Sequence, residues 1–243
     1  MSFAQPDGFP DDQFLVLPAG NSNFIDPSST VPFIVNGSSD DNIIETGSGN
    51  DSISGGDGND IVNGGAGNDL VEGGQGNDSL SGGDGDDLII GNQGQDILNA
   101  SQGNDTLRGG QFSDTIRGGQ GADFANGNLD NDFLNGNLGN DTVYGGQGND
   151  TCLGGQGNDL LNGNIGDDIL TGGLGADQFI FSEGNDIVLD YSFDEGDRII
   201  LPTGVTPEFQ VIDGNVLMTI TGIGTTIFEN TTLEAVQDGI IFG

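Results

Sequence analysis

Residues 55–74 read GGDGNDIVNGGAGNDLVEGG, the same nine-residue sentence twice. Two glycines lead, then a variable residue, a glycine, a variable residue and an aspartate. Three residues follow, the middle one aliphatic. From Gly55 this register runs without insertion to Ile180, and Thr46–Ser54 extends it backwards. Asn36–Ile44 reads as a degenerate first copy, set off by one extra residue, Glu45. The sixth position is Asp51, Asp60, Asp69, Asp78, Asp87, Asp96, Asp105, Asp114, Asp123, Asp132, Asp141, Asp150, Asp159, Asp168 and Asp177. The eighth is apolar in every copy, from Ile53 and Val62 through Cys152 to Phe179.

A nine-residue period fits neither a helix nor a long strand. Glycine costs about 1 kcal/mol against alanine inside a helix, yet it gives the positive φ that tight turns need. The period therefore predicts a six-residue turn followed by a three-residue strand whose central side chain points inward. So short a strand buries almost nothing alone, whereas stacked copies build a continuous aliphatic file. One nonapeptide makes half a coil and two make a full one. Aspartates eighteen residues apart then lie above one another in two columns. One column runs from Asp51 to Asp177 and the other from Asp60 to Asp168.

Charge makes those columns costly. The 243 residues carry 39 acids, three arginines and no lysine or histidine, a net charge of -36. Strands stack ~4.8 Å apart, and two carboxylates at that spacing repel by ~0.9 kcal/mol even in water. Thirteen same-column gaps bring the repulsion to the order of 10 kcal/mol, as large as the whole stability of an ordinary domain. The missing partner is a cation. Carboxylates joined by turn carbonyls form a hard oxygen set of the kind Ca²⁺ takes at six to eight ligands, whereas Mg²⁺ demands a tighter octahedron. Thirteen Ca²⁺ would reduce the net charge to about -10.

The same charge excludes nucleic acid and anionic membranes as electrostatic partners. No apolar run approaches the ~20 residues of a transmembrane helix. The single cysteine, Cys152, excludes an internal disulfide and, at an eighth position, reads as a small core residue. Without histidine there is no Ser-His-Asp triad, Cys-His pair or zinc-protease motif, so no catalytic activity is expected. The N-terminal stretch MSFAQPDGFPDDQFLVLPAG has no basic region and does not read as a cleaved secretory signal.

The units GGDGNDIVN, GGAGNDLVE, GGQGNDSLS and GGQGNDTCL resemble the RTX, or haemolysin-type, calcium-binding nonapeptide, G-G-x-G-x-D-x-U-x, over about residues 46–180. The resemblance implies an all-β, right-handed parallel β-roll with Ca²⁺ between turns on one edge. It also implies the ligand pattern: two carbonyls and the carboxylate of one turn, with two carbonyls and the carboxylate of the next. Carried to one site, the ligands are Gly56, Gly58 and Asp60 with Gly73, Gln75 and Asp78. Phe112 and Asp130 depart from the fourth-position glycine. The glycine pair becomes Ala100–Ser101 once, and asparagine takes its second place at 92, 128, 137 and 164, a residue that tolerates left-handed backbone.

Residues 1–35, with five prolines, read as an N-terminal cap; 36–180 as the roll; 181–243 as a C-terminal β cap. In the last segment IVLDY, DRIIL, FQVIDGNVLMTI and TTIFEN look like strands, with a hairpin turn at 213–215, and Asp186, in a half-motif eighteen residues after Asp168, is expected to be a further metal ligand. LGADQFIFSEGNDIVLDYSFDEGDRIIL resembles the cap that follows RTX repeats, and the terminal DGIIFG resembles their secretion signal. That likeness implies type I export machinery as a partner and a secreted, extracellular or cell-surface location. The expected function is a calcium-folded structural protein. The alternative is an adhesive or carbohydrate-binding module stiffened by Ca²⁺, for which Phe124 and Phe133 are the strand-centre aromatics. Outward apolar residues at the seventh position, Ile61, Leu70, Leu88, Ile97, Phe124, Phe133, Leu160 and Ile169, allow a cell-envelope or self-association partner; the plainer reading is ordinary strand propensity.

Overall fold

The computed structural model describes residues 13–20 and 23–243. The reading of the extreme N-terminus as lacking a signal therefore falls mostly on residues outside the described ones. Chain order opens with β1 (Gln13–Val16), β2 (Phe24–Ile25), β3 (Phe33–Ser38) and β4 (Ile43–Glu45). Regular six-residue strands follow from β5 (Ser52–Asp57) to β18 (Ile169–Leu174). The chain closes with β19 (Gln178–Ile180), β20 (Gly184–Val188), β21 (Arg198–Leu201), β22 (Glu208–Ile212), β23 (Asn215–Ile220), β24 (Gly224–Phe228), α1 (Leu233–Asp238) and β25 (Ile240–Phe242).

Odd-numbered strands form one sheet and even-numbered strands the other until the order changes after β21 and β20. Each regular strand pairs in parallel with the strand two places on, eighteen residues away, as Ile53 does with Val71 and Val71 with Ile89. The fold is thus a parallel β-solenoid of nine-residue half-coils. Its core is the eighth-position file from both sheets, Ile53 to Phe179, each residue 2 % exposed or less. Cys152 sits in that file, and burial pushes its thiol well above the ordinary range.

Two expectations need correction. Strands are six residues long, not three, because pairing continues through both glycines to the third position, as in Gly56↔Gly74 and Asp57↔Gln75. The turn shrinks to positions four to six. The glycines bend the strand without ending it: Gly56 and Gly58 hold φ of 110° and 112°, and a Cβ on Gly58 would lie 2.7 Å from the carbonyl carbon of Asp40 in the coil before. The first copy also sits in continuous register. Ile44 pairs with Val62 and Glu45 with Asn63, so Glu45 is a ninth-position residue and Asn42 takes the sixth.

Non-glycine residues meet the same backbone demand. Asn92, Asn128, Asn137, Asn164 and Ser101 at the second position, and Phe112 and Asp130 at the fourth, all have φ between 70° and 91°. Beyond Phe181 the strands are irregular. β22 and β23 form an antiparallel hairpin through Asp213 and Gly214, both with positive φ, at the expected turn. α1, which the sequence reading lacked, starts at Thr232, whose hydroxyl accepts from the Ala235 N–H.

Candidate metal centre

The sixth-position carboxylates stand in two columns along the solenoid edges. Each folds back into its own turn and is 1 to 4 % exposed. Oδ1 accepts the backbone N–H of the residue eighteen places earlier: Asp51 donates to Asp69, Asp69 to Asp87 and Asp87 to Asp105, at 2.7–2.8 Å. The other column repeats this, from Asp60 donating to Asp78 to Asp150 donating to Asp168, both at 2.8 Å. Each aspartate therefore reaches towards the preceding coil.

Oδ2 has no such partner. In all fifteen repeats, Asp51 to Asp177, this oxygen is buried and without a hydrogen bond. A buried, unpaired acceptor costs about 1–3 kcal/mol, and more when charged, so fifteen of them define a site built for something besides protein. The first-position glycine makes room for it. A Cβ on Gly55 would collide with Oδ2 of Asp60 and lie 2.7 Å from the Gly73 carbonyl oxygen, which belongs to the next turn on that edge. Carboxylate and carbonyl thus face a space that only the missing side chain keeps open. At Thr46, a first-position residue with an oxygen of its own, the hydroxyl donates to the equivalent carbonyl of Gly64. The donor set fits a hard divalent cation.

Electrostatics agree. From Asp60 to Asp177 burial lifts these acids above the usual range of a carboxyl, offset in part by the backbone hydrogen bond, and in most of them neighbouring carboxylates add to the rise. Asp69 is raised to about 6, Asp87 to about 7 and Asp132 to about 8, with Asp114, Asp150 and Asp130 all adding to its repulsion. Among the described residues no three His, Cys, Asp or Glu side chains converge. Each gap offers two carboxylates, and the remaining oxygens are main-chain. Of the carbonyls expected to ligate, that of Gln75 already accepts the Gly58 N–H at 2.8 Å.

The column ends differ. Asp186 continues its column, accepting from Asp168 N–H at 3.2 Å, but Oδ2 takes the Ser182 hydroxyl at 3.1 Å. On the other edge Asp197 accepts from Asp177 N–H at 2.9 Å and from Ser192 N–H at 2.8 Å. Sequence reading missed Asp197 because it lies twenty residues on and not eighteen. It also missed a second ladder. Fifth-position side chains accept N–H groups from the following coil, as Asn59 does from Asn77 at 2.7 Å and Asn140 from Asn158 at 2.8 Å. The recurrence of asparagine at that position was the signal.

Phe112 and Asp130 prove to be neighbours, eighteen residues apart on one edge. The Phe112 N–H donates to the Asp130 carboxylate at 2.9 Å, where other fourth-position N–H groups bond a third-position carbonyl, as Gly121 does Leu138 at 2.9 Å. The pairing of Gln111 with Leu129 is accordingly absent from the ladder. Phe124 and Phe133 lie on opposite sheets, so they cannot form one aromatic platform; Phe124 instead packs edge-on against Tyr144, centroids 5.5 Å apart.

A parallel β-solenoid with oxygen-lined gaps between stacked turns defines a class of calcium-binding β-rolls. The family model for the RTX calcium-binding nonapeptide repeat matches in overlapping segments over residues 36–188, and the chain belongs to that family. No curated protein matches it. Among solved structures, the extracellular lipase LipA from Serratia marcescens is similar at 18 % identity, over 89 % of this chain and 40 % of its own, with a TM-score of 0.29. The chain therefore spans well under half of that lipase. The AlgE6R3 subunit of the Azotobacter vinelandii mannuronan C5-epimerase is similar at 25 % identity, over 50 % of this chain and 78 % of its own, also with a TM-score of 0.29.

Proposed function

We propose that each gap between turns eighteen residues apart holds one Ca²⁺, about thirteen in all, and that the chain is a secreted structural protein whose folding waits for them. The observation that carries this reading is the set of fifteen buried, unpaired Oδ2 atoms. In each gap the ligands would be two sixth-position carboxylates and the carbonyls of the first four positions, as in Gly56, Gly58 and Asp60 with Gly73, Gln75 and Asp78. Bound calcium supplies the positive charge that lets neighbouring carboxylates stay ionised while buried. Asp186 would close its column with the Ser182 hydroxyl in place of an ion contact.

Without metal, the columns repel and many glycines lose their freedom on ordering. A cytosol poor in free calcium would keep the chain unfolded and fit for threading through type I export machinery. At extracellular-module affinities of about 10⁻⁴–10⁻³ M the outside would fold it. The absence of any histidine supports a role without catalysis. The segment after Ile180, where carboxylates find protein partners, would serve as the C-terminal cap.

Isothermal calorimetry together with metal counting on the calcium-loaded protein tests this reading. About thirteen ions per chain are expected. One or two ions in the whole stack would overturn it.

A further inference from the structure

The two outer faces of the solenoid differ. On the thirteen-stranded sheet, Ile61, Ile97, Phe133 and Ile169 are 52, 49, 37 and 38 % exposed. On the other sheet the corresponding Leu70, Leu88, Phe124 and Leu160 are only half-buried. The exposed file also alternates. Ser79, Thr115 and Thr151 stand between the large residues, in the register Ile97↔Ser79, Ile97↔Thr115, Thr115↔Phe133 and Phe133↔Thr151. Bumps and hollows therefore recur every two strands, about 9.6 Å. The parallel outward file at the ninth position runs from Asn63 to Thr171 and contains Arg117. Neither file carries an acid between Ile61 and Thr171, although the chain has 39 acids and a net charge of -36.

From this geometry we infer that the outer face of the thirteen-stranded sheet docks against the same face of a second copy of the chain. An alternation of large and small residues is self-complementary when one copy is reversed along the solenoid and offset by one strand. A two-fold axis parallel to the strands, passing between Thr115 and Phe133, sets Thr115 against Phe133 of the other copy, Ile97 against Thr151 and Ser79 against Ile169. Isologous contacts of this kind close on themselves. Six strands at about 4.8 Å and six residues at about 3.3 Å cover about 570 Å² per copy, about 1,140 Å² in all, which clears the ~1,000 Å² expected of a specific interface. The carboxylate columns lie on the solenoid edges, so the contact does not bring them face to face. In so acidic a molecule, a face whose charges are Arg117 and, at a strand end, Asp84 permits approach of a like-charged twin that the edges would repel.

The proposal needs a folded roll and is otherwise independent of how many ions fill it. Sedimentation velocity on the full chain in saturating calcium, through the micromolar range, reads the association. The wild type is expected to be a dimer. Thr115→Glu places two carboxylates beside the axis and should leave a monomer at the same concentrations, while Thr115→Glu mixed with Thr115→Lys restores the dimer. Leu88→Glu, on the other sheet, should remain dimeric. Circular dichroism in calcium should show both glutamate variants folded, which separates lost docking from lost folding. A wild type that stays monomeric overturns the proposal, as does a dimer that survives Thr115→Glu or dissolves on Leu88→Glu.

Discussion

The stacked repeats and the segment after Ile180 treat the same side chain in opposite ways. From Asp51 to Asp177 every sixth-position carboxylate keeps one oxygen buried and unpaired. In the C-terminal segment Asp186 and Asp197 find hydrogen bonds for both oxygens, and Asp190 spends its two on the N–H groups of Gly172 and Gly173 at 2.9 and 2.8 Å. The C-terminal segment satisfies these acids with protein groups, namely N–H groups of the last repeats, the Ser192 N–H and the Ser182 hydroxyl. In the calcium-bound state proposed above, the repeats take those partners from solution. Stability that comes from outside the chain varies with its surroundings, and this is the physical content of a calcium-dependent fold.

The largest expected effect breaks the comparison most directly. In chelator the repeats should lose their β signal in far-UV circular dichroism and expand in small-angle scattering, and millimolar Ca²⁺ should restore both. A compact, β-rich metal-free protein would show that the repeats, like the C-terminal segment, sustain themselves. A second large effect is on pH. The raised carboxyls give the metal-free fold stability that is fully present below their unfolded value of about 3.9 and is lost as pH rises through their folded values, about 6 for Asp69 and about 8 for Asp132. Metal-stripped protein should thus regain β structure on acidification from pH 8 to pH 4. In calcium the sign reverses, because protons compete with the ion. No recovery of dichroism at pH 4 would count against buried repulsion as the cause.

Single substitutions sharpen the contrast. Asp87→Ala removes a carboxylate facing gaps above and below. It should lower the melting temperature in calcium by about 5–10 °C, and the deficit should grow with calcium concentration. Asp197→Ala loses two hydrogen bonds, about 1–3 kcal/mol, and its deficit should stay constant as calcium is raised. Parallel calcium dependence in the two variants would erase the distinction. Smallest of all is Asp130→Ala, at about 1 kcal/mol or less, because Asp130 is exposed and sits outside the column; a loss equal to that of Asp87→Ala would place it among the ligands.

Much of this was legible because the period is local and unbroken. Asp51 to Asp177 and the eighth-position file are spaced by the stack itself, and the columns followed from counting. What escaped involves pairing between coils. The glycine pair looks like a turn in one dimension, and only the neighbouring strand shows that Gly56 is held in a ladder by Gly74. The fifth-position ladder hid because the side chain is exposed and dispensable: Ser113 and Ala122 interrupt it without breaking the register. Glu45 looked like an insertion because Asn42 replaces the aspartate that marks the frame. Asp197 and α1 follow no period at all.

The alternation of half-coils between two sheets also constrains inheritance. Duplicating one nonapeptide would leave every turn intact yet rotate everything beyond it by half a revolution, exchanging the two outer faces from that point onward. Duplicating two would lengthen the molecule and keep each face continuous. For folding, the genetic word is a single repeat. For any surface that must be recognised along its length, such as the Ile97–Thr115–Phe133 file, the smallest word that keeps its meaning is a pair.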